Sequence, residues 1–413
     1  MTVDQDQRAD VTPLAGQSSR TLPGAPPASE GAPSPPAGTH GREDPADFAL
    51  EVVRASREFG GVVKALDDVT VRARRGEFLT ILGESGSGKT TLLRIIAGLD
   101  HPTMVAALRI GGKDVLGRPP HKRNVTTVFQ HFALFPHMSV GENIEYGLKL
   151  RGIDARTRRK RALRMLETVR LPGKHDRRIH QLSGGERQRV ALARSIVTEP
   201  DILLLDEPLG SLDESLRLEM QIELVELQRR LGMTFVYITH SQEEALTMSD
   251  RVVLMSRGRI AQEGPPQELF ERPCSSFVGR FMGVENVLAG TVESIAPGRI
   301  GIAVDGHRLA GAWTGAQPPS PGQRVSLMVR AEKVRLFGEK PPPGGMALRG
   351  RVLTSVYKGK YTDNIVETPI GTIQARLWDQ DRNVSGEVFV AWNEANATMA
   401  PETAGQGRPK LNM

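Results

Sequence analysis

A glycine-rich loop between an apolar run and a helix-forming segment constrains the fold of this chain more than any other feature. The loop is Gly83-Glu-Ser-Gly-Ser-Gly-Lys-Thr90; the apolar run 78–82 precedes it and a predicted helix over 89–97 follows it. Glycines let backbone N–H groups wrap a phosphate, a lysine reaches the β- and γ-phosphates, and a threonine hydroxyl can bind Mg²⁺. The sequence therefore predicts a phosphate-binding loop between a buried strand and a helix, rather than a merely flexible loop.

The predicted nucleotide contacts run through this loop without a gap. They are Gly83, Glu84, Ser85, Gly86, Ser87, Gly88, Lys89, Thr90 and Thr91. Within this set we assign Lys89 to catalysis and Thr90 to a magnesium ion. The predicted ligand is a nucleoside triphosphate with its metal ion, Mg²⁺.

A second anion-binding segment lies downstream. Leu182-Ser-Gly-Gly-Glu-Arg-Gln188 precedes a helix-forming run over 186–196. A helix N-terminus presents unpaired N–H groups and a positive dipole end to an anion. A chain with one phosphate loop has no evident need for a second on the same nucleotide. We therefore expect Ser183, Gly184 and Gly185 to act on a nucleotide held by another subunit.

Composition narrows the class of protein. The chain has 413 residues, 39% of them hydrophobic and 25% charged, which predicts two soluble domains. There is no apolar run long enough to span a bilayer and no apolar signal segment at the N-terminus. The single cysteine, Cys274, excludes an internal disulfide. The net charge of +6 permits a nucleic-acid or anionic-membrane partner, although ordinary solvated surface is the simpler interpretation.

The pattern along the chain predicts an α/β domain followed by a small β domain. Residues 1–46 are rich in proline, glycine, alanine and serine, which is typical of a disordered tail. Apolar runs at 202–206, 234–239 and 252–255 predict buried parallel strands, and 214–231 predicts a helix between them. An arginine-rich helical insertion spans about 131–200. We predict an α/β domain over 48–283.

Short alternating strands replace long helices after residue 285. Gly290-Thr-Val292 and Gly350-Arg-Val352 open similar segments on either side of a proline-glycine run at 341–345. This faint repeat predicts two small β units within residues 286–400, followed by a tail over 401–413.

An acidic pair follows the apolar run 202–206. Asp206 is placed to hold Mg²⁺ through its water shell, and Glu207 to polarise an attacking water. A helix cap or an ion pair is the alternative role for such carboxylates. The preceding apolar strand and the upstream glycine loop favour the catalytic interpretation.

Three further polar residues carry little information in isolation. Gln130 ends a predicted strand over 125–130, and the apolar segment 132–138 after it predicts an exposed docking loop. His240 follows the predicted strand 234–239, and Asp213 precedes the predicted helix 214–231. The arginine-rich run 156–164 predicts a solvated helix face, with anionic lipid headgroups as the alternative partner.

Taken in order, these motifs resemble the ATP-binding-cassette (ABC) family over about residues 50–283. The resemblance implies that Phe59 stacks on adenine and that Gln130 completes the Mg²⁺ shell. It also implies that Ser183 and Gly185 bind the γ-phosphate of the opposite subunit, and that Asp213 contacts this partner. His240 would bind the γ-phosphate and orient the water with Glu207. The fold it implies is an ABC ATPase domain with an inserted helical subdomain, then an all-β regulatory domain similar to an oligonucleotide-binding (OB) fold.

The strings 134–140 and 239–246 resemble the importer type specifically, and the C-terminal segment 356–359 resembles polyamine importers most. Ser241 and Ala331 depart from the residues commonest in the group. The implied partners are a second copy of this chain, integral membrane permeases docking after Gln130, and an external solute-binding protein. The implied location is peripheral, on the cytoplasmic face of the inner membrane.

Other functions stay open on sequence grounds. Importers of iron(III), phosphonate, sulfate or sugar share this architecture, so the cargo is not decided. A nucleic-acid-associated ABC ATPase is a more distant alternative, and no nucleic acid is expected because the C-terminal region has few aromatic residues for base stacking. A nucleotide sensor without hydrolysis is disfavoured by the presence of Glu207 and His240.

Overall fold

The computed structural model describes residues 47–129, 132–210, 212–341, 345–378 and 385–403. The predicted tail over 1–46, Gln130 and the residues after 403 lie outside the described part. Within that part, no helix combines the length and the apolar character that crossing a membrane requires.

The first part of the chain alternates strands with helices. Its strands are β1 (Phe48–Phe59), β2 (Val63–Arg74), β3 (Phe78–Gly83), β4 (Ala107–Ile110), β5 (Lys113–Asp114), β6 (Val125–Val128), β7 (Ile202–Asp206), β8 (Thr234–Thr239), β9 (Arg251–Ser256) and β10 (Arg259–Gly264). Its helices are α1 (Lys89–Ala97), α2 (Val140–Leu150), α3 (Ala155–Thr168), α4 (Gly184–Ile196), α5 (Glu214–Leu231), α6 (Gln242–Met248), α7 (Pro266–Glu271) and α8 (Ser276–Phe281).

The predicted motifs follow the carboxyl ends of strands in a central six-stranded sheet. Its strand order is β10-β9-β3-β8-β7-β6, parallel except for β10. Leu204 packs with α1 on one face, whereas Leu203 and Leu205 pack with α5 on the other. Because both faces are covered, these strands are nearly uninterrupted apolar runs. A second, antiparallel sheet of order β2-β1-β4-β5 contributes Leu50 to the core on the α1 face.

Most of the strands predicted from apolar runs are confirmed, but one prediction was too long. Strand β6 ends at Val128, and Phe129 is 42% exposed outside the strand. The predicted strand had continued to residue 130. An apolar residue near a strand end extends the pattern without extending the backbone pairing, which stops at the partner residue Leu205.

The insertion between β6 and β7 forms a helical unit with its own core. Helices α2, α3 and α4 pack together through buried aliphatic residues that include Ile144, Leu166 and Val190. Helix α4 begins at Gly184, two residues before the predicted start. Ser183 is its N-cap and forms a capping box with Glu186, so the helix extends to the cap.

In the C-terminal region after Glu285, the regular elements among the described residues are β-strands and two short 3-10 turns. Its strands are β11 (Asn286–Ala296), β12 (Arg299–Val304), β13 (His307–Trp313), β14 (Arg324–Val329), β15 (Arg335–Phe337), β16 (Met346–Tyr357), β17 (Thr362–Thr368), β18 (Gly371–Leu377), β19 (Glu387–Trp392) and β20 (Ala397–Pro401). They form a closed barrel, β11-β12-β13-β20-β14, and a sheet, β15-β19-β16-β17-β18. The predicted fold class, α/β followed by all-β, is confirmed.

The faint sequence repeat corresponds to a repeated strand geometry. A Cβ atom on Gly290 would lie 2.8 Å from a carbonyl oxygen of β12, and one on Gly350 would lie 2.7 Å from a carbonyl oxygen of β17. In each unit the valine two residues later, Val292 or Val352, immediately precedes a register shift. Glycine is therefore required at both positions by close strand approach.

Arg330, after β14, joins the two parts of the chain. Its guanidinium donates to the carbonyl oxygens of Met282 (3.0 Å) and Phe270 (2.6 Å) and lies 3.4 Å from the centre of the Phe270 ring. Burial lowers the pKa of Arg330, with nearby carboxylates, among them Glu285, acting in the opposite direction. This contact attaches the barrel to helices α7 and α8 of the α/β part.

Candidate active site

The site lies where three neighbouring parallel strands end. Strands β3, β8 and β7 are adjacent, and their carboxyl ends lead into the glycine loop, His240 and Glu207. Asp206, the last residue of β7, pairs in register with Ile238 of β8. Residues far apart in sequence thus meet at one edge, which is where open α/β sheets bind ligands.

The phosphate loop is closely packed, and its glycines are sterically required at two positions. A Cβ on Gly83 would lie 2.4 Å from the carbonyl oxygen of Met255, and one on Gly88 would lie 2.3 Å from that of Ala65. Gly88 also has a φ of 104°, a backbone conformation that residues other than glycine rarely adopt. The loop is therefore packed closely against strands β2 and β9.

Helix α1 begins at this loop without a side-chain cap. Gly88 is its N-cap, whereas the N-caps of α4, α5 and α6 are Ser183, Asp213 and Ser241, each accepting from a backbone N–H. The first N–H groups of α1 therefore keep no side-chain acceptor and face the loop. Uncapped N–H groups at a helix N-terminus suit a phosphate.

Lys89 curls back over the loop. Its Nζ donates to the carbonyl oxygens of Gly83 (2.8 Å) and Glu84 (2.9 Å), and one N–H remains for a ligand. Burial lowers the pKa of Lys89, while the nearby carboxylates of Glu207 and Asp206 act to raise it. The ammonium group is thus fixed in place at the mouth of the loop.

Asp206 is half-buried and forms no salt bridge among the described residues. Burial raises its pKa, the charge of Glu207 raises it further, and Arg94 and Lys89 oppose this. A bound cation would stabilise the ionised form. The described residues contain no group of three or more His, Cys, Asp or Glu side chains able to hold a metal alone, so a metal here needs oxygen ligands from elsewhere, such as phosphate and the exposed Thr90.

Glu207 and His240 form the closest pair of predicted catalytic groups. The Glu207 Oε1 atom lies 3.2 Å from Nδ1 of His240. The backbone N–H of Glu207 donates to the carbonyl oxygen of Ile238 at 3.0 Å, which fixes the start of the loop after β7. Glu207 is 29% exposed and His240 62% exposed, so both are open to solvent and substrate.

Phe59 ends β1 and is 44% exposed. The guanidinium of Arg57 lies 4.5 Å from the centre of its ring and covers one face. Arg57 is in turn held by Asp100 at 2.8 Å. An exposed aromatic ring with one face covered can stack on a base through the other face.

The predicted second anion site lies at the start of α4. Ser183 is exposed, and its Oγ accepts from the N–H of Glu186 at 3.2 Å, while Glu186 accepts from the N–H of Ser183 at 2.9 Å. The Ser183 hydroxyl hydrogen stays free to be donated. Gly185 is buried against Leu216, where a Cβ would approach its side chain to 3.2 Å.

Asp213 has a local structural task in the single chain. It is the N-cap of α5, and its carboxylate accepts from the N–H of Leu216 at 3.0 Å. Gln130, predicted to report the nucleotide state, lies outside the described residues. These two predicted roles, in a partner contact and in the metal shell, stay predictions.

The predicted docking loop 132–138 is less exposed than its sequence suggests. Phe132 and Leu134 are half-buried and pack on the cluster beneath α5. Phe135 lies 4.7 Å from the ring of Tyr146, centre to centre, and the guanidinium of Arg194 donates to the carbonyl oxygens of Phe132 and Ala133, both at 2.8 Å. The exposed residues are Ala133, Pro136 and His137.

A buried carboxylate near His240 was missed by the sequence analysis. Glu244 is 4% exposed and lines the same small cavity as Glu207, His240 and Arg217. Its sequence signal is weak, because it belongs to a polar helix start in which Glu243 and Glu244 look alike. Only the fold makes Glu243 exposed and Glu244 buried.

Comparisons with known proteins agree with this geometry. The family model described as ABC transporter matches residues 66–210. The spermidine/putrescine import ATP-binding protein PotA of Frankia alni is 41% identical over 371 residues, covering 86% of this chain and 80% of the relative. The protein of the same name from Thermobifida fusca is 45% identical over 322 residues, covering 78% of this chain and 83% of the relative.

Among solved structures, cbiO1 from Clostridium perfringens, described as part of the ABC transporter complex cbiONQ, is similar in fold. It matches with a TM-score of 0.51 and 30% identity, covering 54% of this chain and 91% of that chain. The resemblance inferred from the motifs is therefore confirmed. With relatives at least 41% identical over at least 80% of their own length, the chain belongs to the ABC transporter ATP-binding proteins, which couple ATP hydrolysis to transport.

Proposed function

We propose that this chain is the ATP-hydrolysing subunit of a multi-subunit membrane importer for polyamines such as spermidine and putrescine. The observation that carries the hydrolysis step is the Glu207–His240 pair, 3.2 Å apart beside the phosphate loop. The names of the relatives from Frankia alni and Thermobifida fusca support the cargo. No residue of this chain is argued to touch the polyamine.

The triphosphate is held by the loop 83–91, with Lys89 and the uncapped N-terminus of α1 donating to the phosphates. These groups are fixed before the reaction, so they stabilise developing charge without reorganising. Glu207 polarises the attacking water, and His240 binds the γ-phosphate and orients the water. Phe59 stacks on adenine.

Mg²⁺ fits the oxygen donors that surround the loop. Thr90 and Asp206, with Gln130, would hold it, since hydroxyl, carboxylate and amide oxygens are the ligands Mg²⁺ prefers. When bound, the ion neutralises charge on the β- and γ-phosphates. Burial and the charge of Glu207 raise the pKa of Asp206, and a bound cation would favour its ionised form.

The second subunit supplies the anion site at α4. Ser183 would donate its free hydroxyl hydrogen, and Gly184 and Gly185 their backbone N–H groups, to the γ-phosphate held by the opposite chain. Asp213 would contact the partner nearby. ATP binding would close the dimer, and hydrolysis would reopen it. The shift in population between the closed and open states would then drive the membrane subunits.

Further partners follow from importer architecture. We propose that permease subunits dock on the loop 132–138, that an external solute-binding protein delivers the cargo, and that the chain is peripheral on the cytoplasmic face of the inner membrane. Nucleic acid is not among the proposed partners. The α/β unit over 48–283 would drive transport, and the β region over 286–400 would regulate it.

Uptake of labelled putrescine and spermidine in cells with and without this gene tests the proposal. We expect uptake to fall in the deletion strain and to return with the wild-type gene but not with a Glu207→Gln gene. Unchanged polyamine uptake together with lost uptake of iron or phosphonate would reject the cargo and retain the ATPase. Unchanged ATP hydrolysis by purified Glu207→Gln protein would instead reject the assigned chemistry.

A further inference from the structure

Glu244 is a buried carboxylate that the proposed hydrolysis steps do not use. Its side chain accepts a hydrogen bond from the Tyr237 hydroxyl at 2.8 Å and another from the Thr239 hydroxyl at 2.5 Å. It is 4% exposed and forms no salt bridge among the described residues. A buried carboxylate is costly unless it is hydrogen-bonded, so these two bonds are expected to hold Glu244 firmly in place.

These bonds also hold the turn that carries His240. Thr239 precedes His240, and its hydroxyl oxygen accepts from the backbone N–H of Ser241 at 2.9 Å. Ser241 follows His240, and its hydroxyl oxygen accepts from the backbone N–H of Glu244 at 3.3 Å. The residues on both sides of His240 are thus tied to Glu244, while the imidazole itself is left exposed.

Tyr237 is the second donor to the same carboxylate, but it lies deeper. It is fully buried, and its ring lies 5.8 Å from that of Phe78, centre to centre. Burial first, and the charge of Glu244 second, raise the pKa of Tyr237 well above its usual value, so the hydroxyl stays protonated and donates. Tyr237 therefore links Glu244 to the core through this hydrogen bond.

We propose that Glu244 is a positioning residue for hydrolysis, which fixes His240 opposite Glu207 through its hydrogen bond to Thr239. This inference rests on the proposed roles of Glu207 and His240. Glu207 is held independently, by its backbone bond to Ile238. On the His240 side, the Glu207–His240 distance therefore depends on the bonds that tie Thr239 and Ser241 to Glu244.

Thr239→Val in the full-length protein tests this, because valine keeps the shape and removes the hydroxyl that bonds both to Glu244 and to the N–H of Ser241. We expect kcat for ATP hydrolysis to fall at least ten-fold with KM for ATP within two-fold, since a misplacement of about 1 Å can cost about a hundred-fold. Glu244→Ala, which leaves the bond between Thr239 and Ser241 in place, should show the same loss. Glu244→Gln, whose amide oxygen still accepts from Thr239, should retain most of the rate.

Tyr237→Phe is the matched control. It removes the other hydrogen bond to Glu244 and leaves the bonds from Glu244 to Thr239 and Ser241 in place, so we expect kcat within about three-fold of wild type. An equal loss of kcat in Tyr237→Phe and Thr239→Val would overturn the proposal, because it would show that general destabilisation accounts for both.

A double-mutant cycle separates this proposal from the proposed function. If Glu244 acts through His240, Thr239→Val should not slow the residual hydrolysis of His240→Ala, measured in single turnover. If Thr239→Val slowed hydrolysis by the same factor in wild-type and in His240→Ala protein, the positioning role would be rejected. Wild-type turnover by His240→Ala itself would reject the proposed role of His240, whereas loss in His240→Ala without loss in Thr239→Val would reject only the positioning role.

Discussion

Glu207 adopts a left-handed backbone conformation, with a φ of 46°. This conformation costs a residue other than glycine about 1–3 kcal/mol and persists only when its surroundings enforce it. Here the backbone bond to Ile238 and the end of β7 enforce it, and the result is a carboxylate aimed at His240 instead of into the sheet. This conformation places Oε1 of Glu207 3.2 Å from Nδ1 of His240.

Glu207→Gln should abolish turnover and preserve ATP binding. The amide cannot take a proton from water, and loss of such a group typically lowers a rate by about two to four powers of ten. We expect the variant to accumulate as an ATP-stabilised dimer. Phosphate release, nucleotide binding and gel filtration measure the three properties.

Glu243→Gln is the control for this prediction, because Glu243 is an exposed glutamate on α6 close to the site. It should hydrolyse ATP at the wild-type rate. Near-normal hydrolysis by Glu207→Gln would place the base elsewhere.

At the scale of elements, two helix N-termini differ in how their N–H groups are used. Helix α1 has a glycine N-cap and no side-chain acceptor, so its N–H groups are available to the nucleotide of its own chain. Helix α4 has a capping box, so its serine oxygen is occupied and only its hydroxyl hydrogen and the following N–H groups are available. The two sites therefore offer a phosphate different sets of donors.

Mixing two inactive variants tests whether α4 acts on the partner's nucleotide. Lys89→Ala removes the lysine of the phosphate loop, and Ser183→Arg blocks the α4 site. Neither homodimer therefore has an intact composite site. A mixed dimer keeps one composite site. An equimolar mixture should recover roughly a quarter of wild-type hydrolysis, since half of the dimers are mixed and each has one of two sites.

Wild-type protein mixed with Lys89→Ala calibrates subunit exchange in this experiment. No activity above that of the separate variants, with mixed dimers confirmed, would mean that α4 acts within its own chain or that both sites must be intact. Crosslinking Ser183 to the phosphate loop between chains would then distinguish these cases.

The whole molecule depends on contacts between its two parts, among which Arg330 is half-buried and donates to two carbonyl oxygens of the α/β part. Arg330→Met should lower the free energy of unfolding by about 2–3 kcal/mol, because two carbonyl oxygens lose a charged donor in a buried place. Thermal unfolding of the full chain measures this. Arg308→Met is the control, since Arg308 is 87% exposed and its ion pair with Glu293 should contribute little. An equal shift in both variants would contradict the joining role of Arg330.

Deletion of residues 1–46 should leave ATP hydrolysis and thermal stability unchanged. The segment is rich in proline and glycine and has few large apolar residues that could be buried against the fold. A large loss in either property would show that the segment belongs to the folded protein.

Local features of the chain were predictable because their causes are local. The strands β3, β7 and β8 follow from unbroken apolar runs, the phosphate loop follows from glycine spacing, and helix α5 follows from its apolar period. The errors also have local causes. The predicted β6 was too long because the exposed Phe129 extended the apolar pattern, and the predicted α4 started two residues late because the capping box at Ser183 was not recognised.

The sequence by itself determined the order of elements, the phosphate loop and the acidic pair after β7, because glycine conformation, helix caps and apolar runs act over a few residues. The tertiary structure decided which distant residues meet. It alone brought β20 back to close the barrel with β14, aimed Glu207 at His240, and buried Glu244 while leaving Glu243 exposed. Strand pairing and burial are set by the whole packed core, and nothing near these residues in the chain specifies them.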